Sequence, residues 1–280
     1  DRPGGKKIHQ QPTPLLGGLA IAIAQAAGVL AAGPVDQVTA TILVAGGLIL
    51  FLGIHDDLDP HAEGVRWWLR LLFQAFLAVF VIYPAITLGF LRSPWLSIPF
   101  MLLWIVGITN AFNLLDNMNG LSAGVAAIAG LTFATLAARY AEVGPEQLPT
   151  ARAAASLAGA CVGFLPSNFR SRIFMGDAGS LFVGFTLACL AALGSWRSPT
   201  APTSVIIPIL VLAYPIFDTT LVVMLRLRRG QSPVMGGRDH SSHRLVNMGL
   251  GQVEAVLLIY LFSLSHALTA LLVSSVTLRL

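Results

Sequence analysis

Four short polar segments interrupt an otherwise apolar chain, and each carries residue types suited to phosphate or metal chemistry. The first is Gly53-Ile54-His55-Asp56-Asp57, two adjacent carboxylates directly after a long apolar run. Neighbouring carboxylates repel each other, and at a helix C-terminus they also meet the negative end of the helix dipole. A cation or a basic partner offsets that cost. Arg66 and Arg70 follow closely and suit either pairing with the acids or binding phosphate; the plain alternative is a solvated loop edge. The second segment runs from Asn110 through Asn113, Asp116, Asn117 and Asn119 to Gly120. Asn110 and Asn113 share a helix face, which Asp116 continues if the helix persists. Amide and carboxylate oxygens suit a hard cation, and the remaining amides suit the edge of a nucleobase. Helix capping is the competing reading.

The third segment is Phe174-Met175-Gly176-Asp177-Ala178-Gly179-Ser180, ahead of another apolar run. Asp177 reads as an N-cap. The functional reading adds free N–H groups and a positive dipole end facing phosphate, a magnesium ion on Asp177, and Phe174 as a flat face for a base. The fourth runs from Gly236 to Arg244, where Arg238, His240, His243 and Arg244 follow a glycine pair. That spacing reads as a polyanion clamp, or else as a basic anchor for anionic lipid. The anchor reading also fits Arg226, Arg228 and Arg229.

The elements that must position these segments are membrane helices. Hydrophobic residues make up 55% of the chain and charged residues 11%, with a mean hydropathy of +0.76, which excludes an ordinary soluble domain. The apolar stretches are continuous, not alternating, so helices fit where a barrel does not. The expected fold class is all-α, a polytopic transmembrane helical bundle of about nine spans. They fall at 15–33, 37–54, 67–90, 95–112, 119–139, 151–166, 179–195, 203–227 and 252–275. The 151–166 run is short, and Pro208 and Pro215 should kink or break the eighth span. Residues 1–280 read as one integral-membrane domain with active-site loops at 1–14, 55–66, 113–118, 167–178 and 228–251. That side takes twelve of the 17 Lys and Arg residues, leaving Arg92, Arg139, Arg152, Arg197 and Arg279 opposite, which makes it cytoplasmic. Asp56, Asp57, Asp59, Glu63, Asp116, Asp177, Asp218 and Asp239 cluster on the same side. Cys161 and Cys189 sit in apolar runs and read as small packed hydrophobes.

In order along the chain, these blocks resemble the polyprenyl-phosphate N-acetylhexosamine-1-phosphate transferases. The resemblance rests on Asp1 to Gly18 with His9-Gln-Gln-Pro-Thr-Pro14, Asp56-Asp57, Asn110 to Leu121, Phe174 to Leu181 and Asp239 to Leu245, with Pro215-Ile-Phe-Asp218-Thr219 as a further element. The His9 segment is similar to the WecA/TagO branch and lacks the lysine- and Gly-Thr-Pro-Thr-type stretch of the MraY branch. Family members have ten or eleven spans, so the resemblance implies a helix preceding Asp1. It also implies a UDP-N-acetylglucosamine donor, an undecaprenyl phosphate acceptor, and UMP with the lipid pyrophosphoryl sugar as products. A bacterial plasma-membrane location, a cytoplasmic site and no nucleic-acid partner follow, and a homodimer is compatible.

The implied cofactor is Mg2+, with Mn2+ as the alternative, held by Asp177 together with Asn113 or Asp116. Asp56, Asp57, Asp116, Asp177 and His243 become the catalytic set. Lys7, His9, Arg70, Asn110, Asn113, Asn119, Arg172, Phe174, Arg238, His240 and Arg244 become substrate contacts, with Phe174 and Asn119 at the uracil. Asn119 stands where bacterial relatives usually have Asp, Arg70 where Lys is common, and Ser242 in place of a middle histidine; the loop from Asn168 to Asp177 is one residue short. The rival readings are an MraY-like muramyl-pentapeptide transferase, a secondary transporter and an inactive lipid-binding scaffold. Transporter acids lie near the bilayer midplane, whereas here nearly all of the clustered acids sit at span ends, with Asp218 the exception.

Overall fold

The computed structural model describes residues 13–58, 65–82, 94–142, 144–194, 201–232, 237 and 239–277. Lys7, His9 and Arg238 lie outside them. The elements are α1 (Gly17–Ala32), α2 (Gln37–Leu58), α3 (Trp67–Ile82), α4 (Pro94–Leu115), α5 (Leu121–Ala141), α6 (Leu148–Phe169), α7 (Gly176–Leu193), α8 (Ala201–Val211), α9 (Ala213–Arg228), α10 (Ser241–Asn247) and α11 (Gln252–Thr277). Among the described residues there is no strand, and the all-α expectation holds.

α2, α4, α5, α6 and α11 are long and apolar enough to cross a bilayer by themselves. α1, α3 and α7 are shorter apolar helices at expected span positions. The 203–227 run is not one helix: α8 and α9 meet at Leu212 with a 77° bend. Pro208 lies inside α8 and Pro215 in the first turn of α9, so the break falls between them, where a continuous helix would lack the Pro215 N–H. The short 151–166 run becomes a 22-residue α6 preceded by a 3-10 turn at Pro145–Gln147.

α7 is the centre of the bundle, packed by α1, α2, α4, α5 and α6. Every residue from Leu181 to Ala191 is buried, which explains why this segment is apolar on all sides. Outer helices show a two-faced pattern instead. On α3, Gln74, Leu77, Ala78 and Val81 are buried while Leu72, Phe76 and Phe80 are exposed. On α11, Leu257, Leu261, Leu264, Leu268 and Leu272 form an exposed apolar face, consistent with lipid as solvent.

Small residues bring the chemistry-bearing ends together. The backbones of Gly18 on α1 and Gly53 on α2 lie directly against Gly179 and Ala178 in the first turns of α7, leaving no room for a Cβ. The start of α7 therefore sits beside the end of α2, and Asp57 beside Asp177.

Candidate active site

The carboxylates of α2 divide their work. Asp57 accepts the backbone N–H of Asp177 at 2.9 Å and that of Ala178 at 3.0 Å. It thus caps α7 across the bundle, where donors and the positive dipole end favour an anion. This changes two expectations. Asp177 is not the N-cap, which falls at Met175; Asp177 lies in the first turn of the helix. The N–H groups expected to face phosphate already serve Asp57. Gly176 makes the approach possible, since its φ of +70° and the adjacent Asp57 carboxylate both disfavour a side chain.

Asp56 turns instead toward Arg70, with Nη2 to Oδ2 at 2.6 Å, and accepts the Val65 N–H at 2.7 Å. Arg70 Nη1 also stands 3.3 Å from Asp177 Oδ2. One guanidinium therefore ties α3 to both α2 and α7, as its fork geometry allows. The nearby Arg66 is exposed.

α4 brings its polar face from the other side. Asn113 Nδ2 donates to Asp177 Oδ1 at 2.9 Å and to Ser180 Oγ at 3.0 Å. Ser180 Oγ in turn donates to Gly176 O at 2.9 Å, so it accepts from Asn113 and defines the orientation of the amide. Asn113 hence steers Asp177 through its nitrogen. Asn110, one turn earlier, is committed to Val106 O at 2.7 Å and Gln74 Oε1 at 2.6 Å, a tie between α4 and α3. Gln74 is a residue that sequence reasoning missed; its signal was a lone amide one turn beyond Arg70 in an apolar run.

α4 ends at Leu115, but the Asp116 N–H still bonds Asn113 O at 3.3 Å, so Asp116 remains near the same face. Burial raises the Asp116 carboxyl to about 7, and the charges of Asp177 and Asp57 push in the same direction. Three carboxylates from α2, α7 and the α4–α5 turn therefore share one electrostatic neighbourhood. Among the described residues, no three His, Cys, Asp or Glu side chains close around a single point. Two carboxylates with open positions still suit Mg2+, which keeps waters and takes substrate phosphates as ligands. Asp177, with its side chain 38% exposed, and the neighbouring Asp116 supply hard oxygens of the type that ion takes. The folded pKa of Asp116 exceeds its unfolded 3.8, so the folded state holds the proton more tightly and this group loses stability as pH rises from about 4 to 7. Without divalent metal, the melting temperature of Asp116→Asn should exceed wild type by a margin that widens over that interval. A constant margin from pH 4 to 8 would refute the raised Asp116 carboxyl.

The 116–120 turn is clamped from four directions. Gly120, with a φ of +80°, donates its N–H to Asn168 Oδ1 at 2.6 Å and accepts from the Tyr260 hydroxyl. Asn119 Nδ2 donates to Ser171 Oγ at 2.7 Å, and Ser242 Oγ donates to Asn117 Oδ1 at 2.8 Å. Two of the departures noted in the sequence are thus structural partners. Ser242 is fully buried, and Asn119 reaches the shortened loop at Ser171, whose φ of 52° is left-handed. Asn168 also bonds Ile173 O at 3.0 Å, so one amide holds both loops; nothing in its local sequence marked it. Phe174 exchanges backbone bonds with Pro14 and Gly17, which places the segment following His9 along the same loop.

The last cluster surrounds α10. Arg226 is 2% exposed and, with Arg229, grips Asp239 at 3.3 and 2.7 Å. These two members of the basic run bind the chain itself, against a pure lipid-anchor reading. Burial alone would raise the Asp239 carboxyl, but the hydrogen bonds and charges of Arg226 and Arg229 outweigh it and hold it below its ordinary value. Asp218, inside α9, meets His240 and Ser241 and is not a lone membrane acid. His243 lies edge-on to His240, with ring centroids 6.3 Å apart. Arg172 and Arg244 are exposed.

Comparison with known proteins places these features in context. The sequence model of glycosyl transferase family 4 matches residues 39–195. A Bacillus subtilis protein named probable undecaprenyl-phosphate N-acetylglucosaminyl 1-phosphate transferase is 36% identical, over all of this chain and 78% of its own. The decaprenyl-phosphate N-acetylglucosaminephosphotransferase of Mycolicibacterium smegmatis is 32% identical over 93% of this chain and 71% of its own. The Escherichia coli K12 undecaprenyl-phosphate alpha-N-acetylglucosaminyl 1-phosphate transferase is 28% identical over 93% and 72%.

Proposed function

Because this chain belongs to glycosyl transferase family 4, we propose that it moves N-acetylglucosamine-1-phosphate from UDP-N-acetylglucosamine to undecaprenyl phosphate, releasing UMP. The observation that carries the reading is the meeting of α2, α3, α4 and α7 around Asp57, Asp177, Asp116 and Arg70 at one end of a membrane bundle. Such a site suits one water-borne and one lipid-borne phosphate. The Lys and Arg excess on this end supports a cytoplasmic face of a bacterial plasma membrane.

The acceptor phosphate belongs at the Asp56–Arg70 corner. Arg70 Nε and Gln74 Nε2 are buried there without a hydrogen bond from the protein, as is the acceptor Asp56 Oδ2 beyond its ion pair with Arg70, so two donors and one acceptor remain for a partner. The exposed edge of Asp177 and the neighbouring Asp116 would hold Mg2+, which when bound neutralises diphosphate charge. Asn113 and Arg70 keep Asp177 in place for that role. Asp57 maintains the start of α7, so its part is to hold the geometry on which alignment depends. The acceptor needs little base catalysis, since a phosphate monoester has its second pKa near about 6. His240, His243 and Arg244, with Arg238, would receive the donor diphosphate and sugar, and Phe174 with Asn119 the uracil.

Purified protein supplied with UDP-N-acetylglucosamine, undecaprenyl phosphate and Mg2+ should release UMP, and omission of either lipid or metal should stop it. UMP released without lipid, or no UMP from any UDP-N-acetylhexosamine, would overturn the reading.

A further inference from the structure

Asp218 stood in the sequence only as one of the clustered acids and part of the Pro215–Thr219 element, yet it is among the most completely engaged of the described side chains. Its side chain is 2% exposed and that of His240 is 4%. Oδ1 accepts the Ser241 N–H at 2.7 Å and the Ser241 hydroxyl at 2.6 Å, while Oδ2 lies 2.7 Å from His240 Nδ1. The Ser241 proton is committed to Asp218, so the Tyr214 hydroxyl, 2.9 Å from Ser241 Oγ, is the donor in that pair. Every proton in the chain from Tyr214 to Asp218 is thereby assigned. A carboxylate with both donors of Ser241 on one oxygen offers lone pairs on the other, and Nδ1 must bring its hydrogen.

We infer that Asp218 is a positioning residue that commits His240 to donating from Nδ1, leaving Nε2 as the one ring nitrogen free to meet the sugar nucleotide. The inference rests on the transferase reading for what His240 meets, but not for the state of the ring. The bent α8–α9 span gives this arrangement its reason. It buries an acid beneath a seven-residue helix, and the acid holds the first residue of that helix and the histidine before it. Ser242, next in sequence, is tied to Asn117, so the same helix connects Asp218 to the turn that carries Asp116.

Asp218→Asn tests the idea because an amide cannot imitate both carboxylate edges. With its oxygen kept on the two Ser241 donors, the amide nitrogen faces His240 Nδ1 and forces the proton to Nε2. Full-length protein labelled with 15N-histidine, its His240 signals assigned by loss in His240→Gln, should show a protonated Nδ1. In Asp218→Asn that proton should move to Nε2, and UMP release should fall roughly tenfold or more. In the His240→Gln background, Asp218→Asn should add no further loss, because Asp218 acts through the ring. An unprotonated Nδ1 in wild type overturns the inference, even if Asp218→Asn fails to fold. Additive losses in the double variant would likewise reduce Asp218 to a structural staple. The ring signals report whether or not the protein releases UMP, so a wrong function and a wrong dyad give different results.

Discussion

Asp177→Asn should lower magnesium-dependent UMP release by roughly a thousandfold and leave the protein folded. The Asp177 side chain is 38% exposed, unlike its neighbours, so its replacement opens no cavity and strands no buried charge. Its backbone N–H still meets Asp57, and the cap on α7 survives. What changes is the set of acceptors. Oδ1 receives Asn113 and Oδ2 faces Arg70, and an asparagine must turn a donor toward one of these two donors. The charge available to a divalent cation falls at the same time. Near-normal turnover in a variant with unchanged melting temperature would remove Asp177 from the metal site and shift that role to Asp116.

Arg70→Met should abolish most activity and also weaken the fold, by about 3–5 kcal/mol if the penalty for breaking a buried ion pair applies in full. Asp56 is 4% exposed on its side chain, and Arg70 is its cation at 2.6 Å. Removing the guanidinium leaves that carboxylate buried with the Val65 N–H and loosens Asp177 as well. Arg70→Lys separates the two consequences. A lysine supplies the charge to Asp56 as a point donor but cannot fork toward Asp177, so stability should largely return. If Arg70→Met unfolds at the wild-type denaturant midpoint, the α2–α3–α7 tie is not what holds Asp56 in place.

The carrier reading weakens for a related reason. Asp218, which lies inside α9, is saturated by His240 and Ser241. An acid so engaged is poorly suited to pick up and release transported protons.

The sequence by itself determined the all-α membrane class and the position of most apolar helices, because hydropathy and run length are local properties. Residue types and the family resemblance also singled out Asp56 and Asp57, and Asn113, Asp116 and Asp177, since acids gathered at several span ends on one side repel each other unless a cation joins them. Which acid does what was decided only by tertiary structure. Asp57 was expected in the catalytic set and Asp177 as an N-cap or metal ligand; the structure makes Asp57 the cap of the turn that holds Asp177, because the partner of a helix end is set by which backbone packs beside it. The close approach of Gly53 to Ala178 makes that choice, and no pattern within either segment records it. Gln74 and Asn168 escaped for the same reason, each being an ordinary polar residue until a helix distant in sequence brings its partner, and Asp218 was marked there without a partner. The acidic end of the bundle was legible because charge is expensive near lipid; its division into a cap, an ion pair and an open carboxylate was not, because hydrogen bonds belong to pairs of residues.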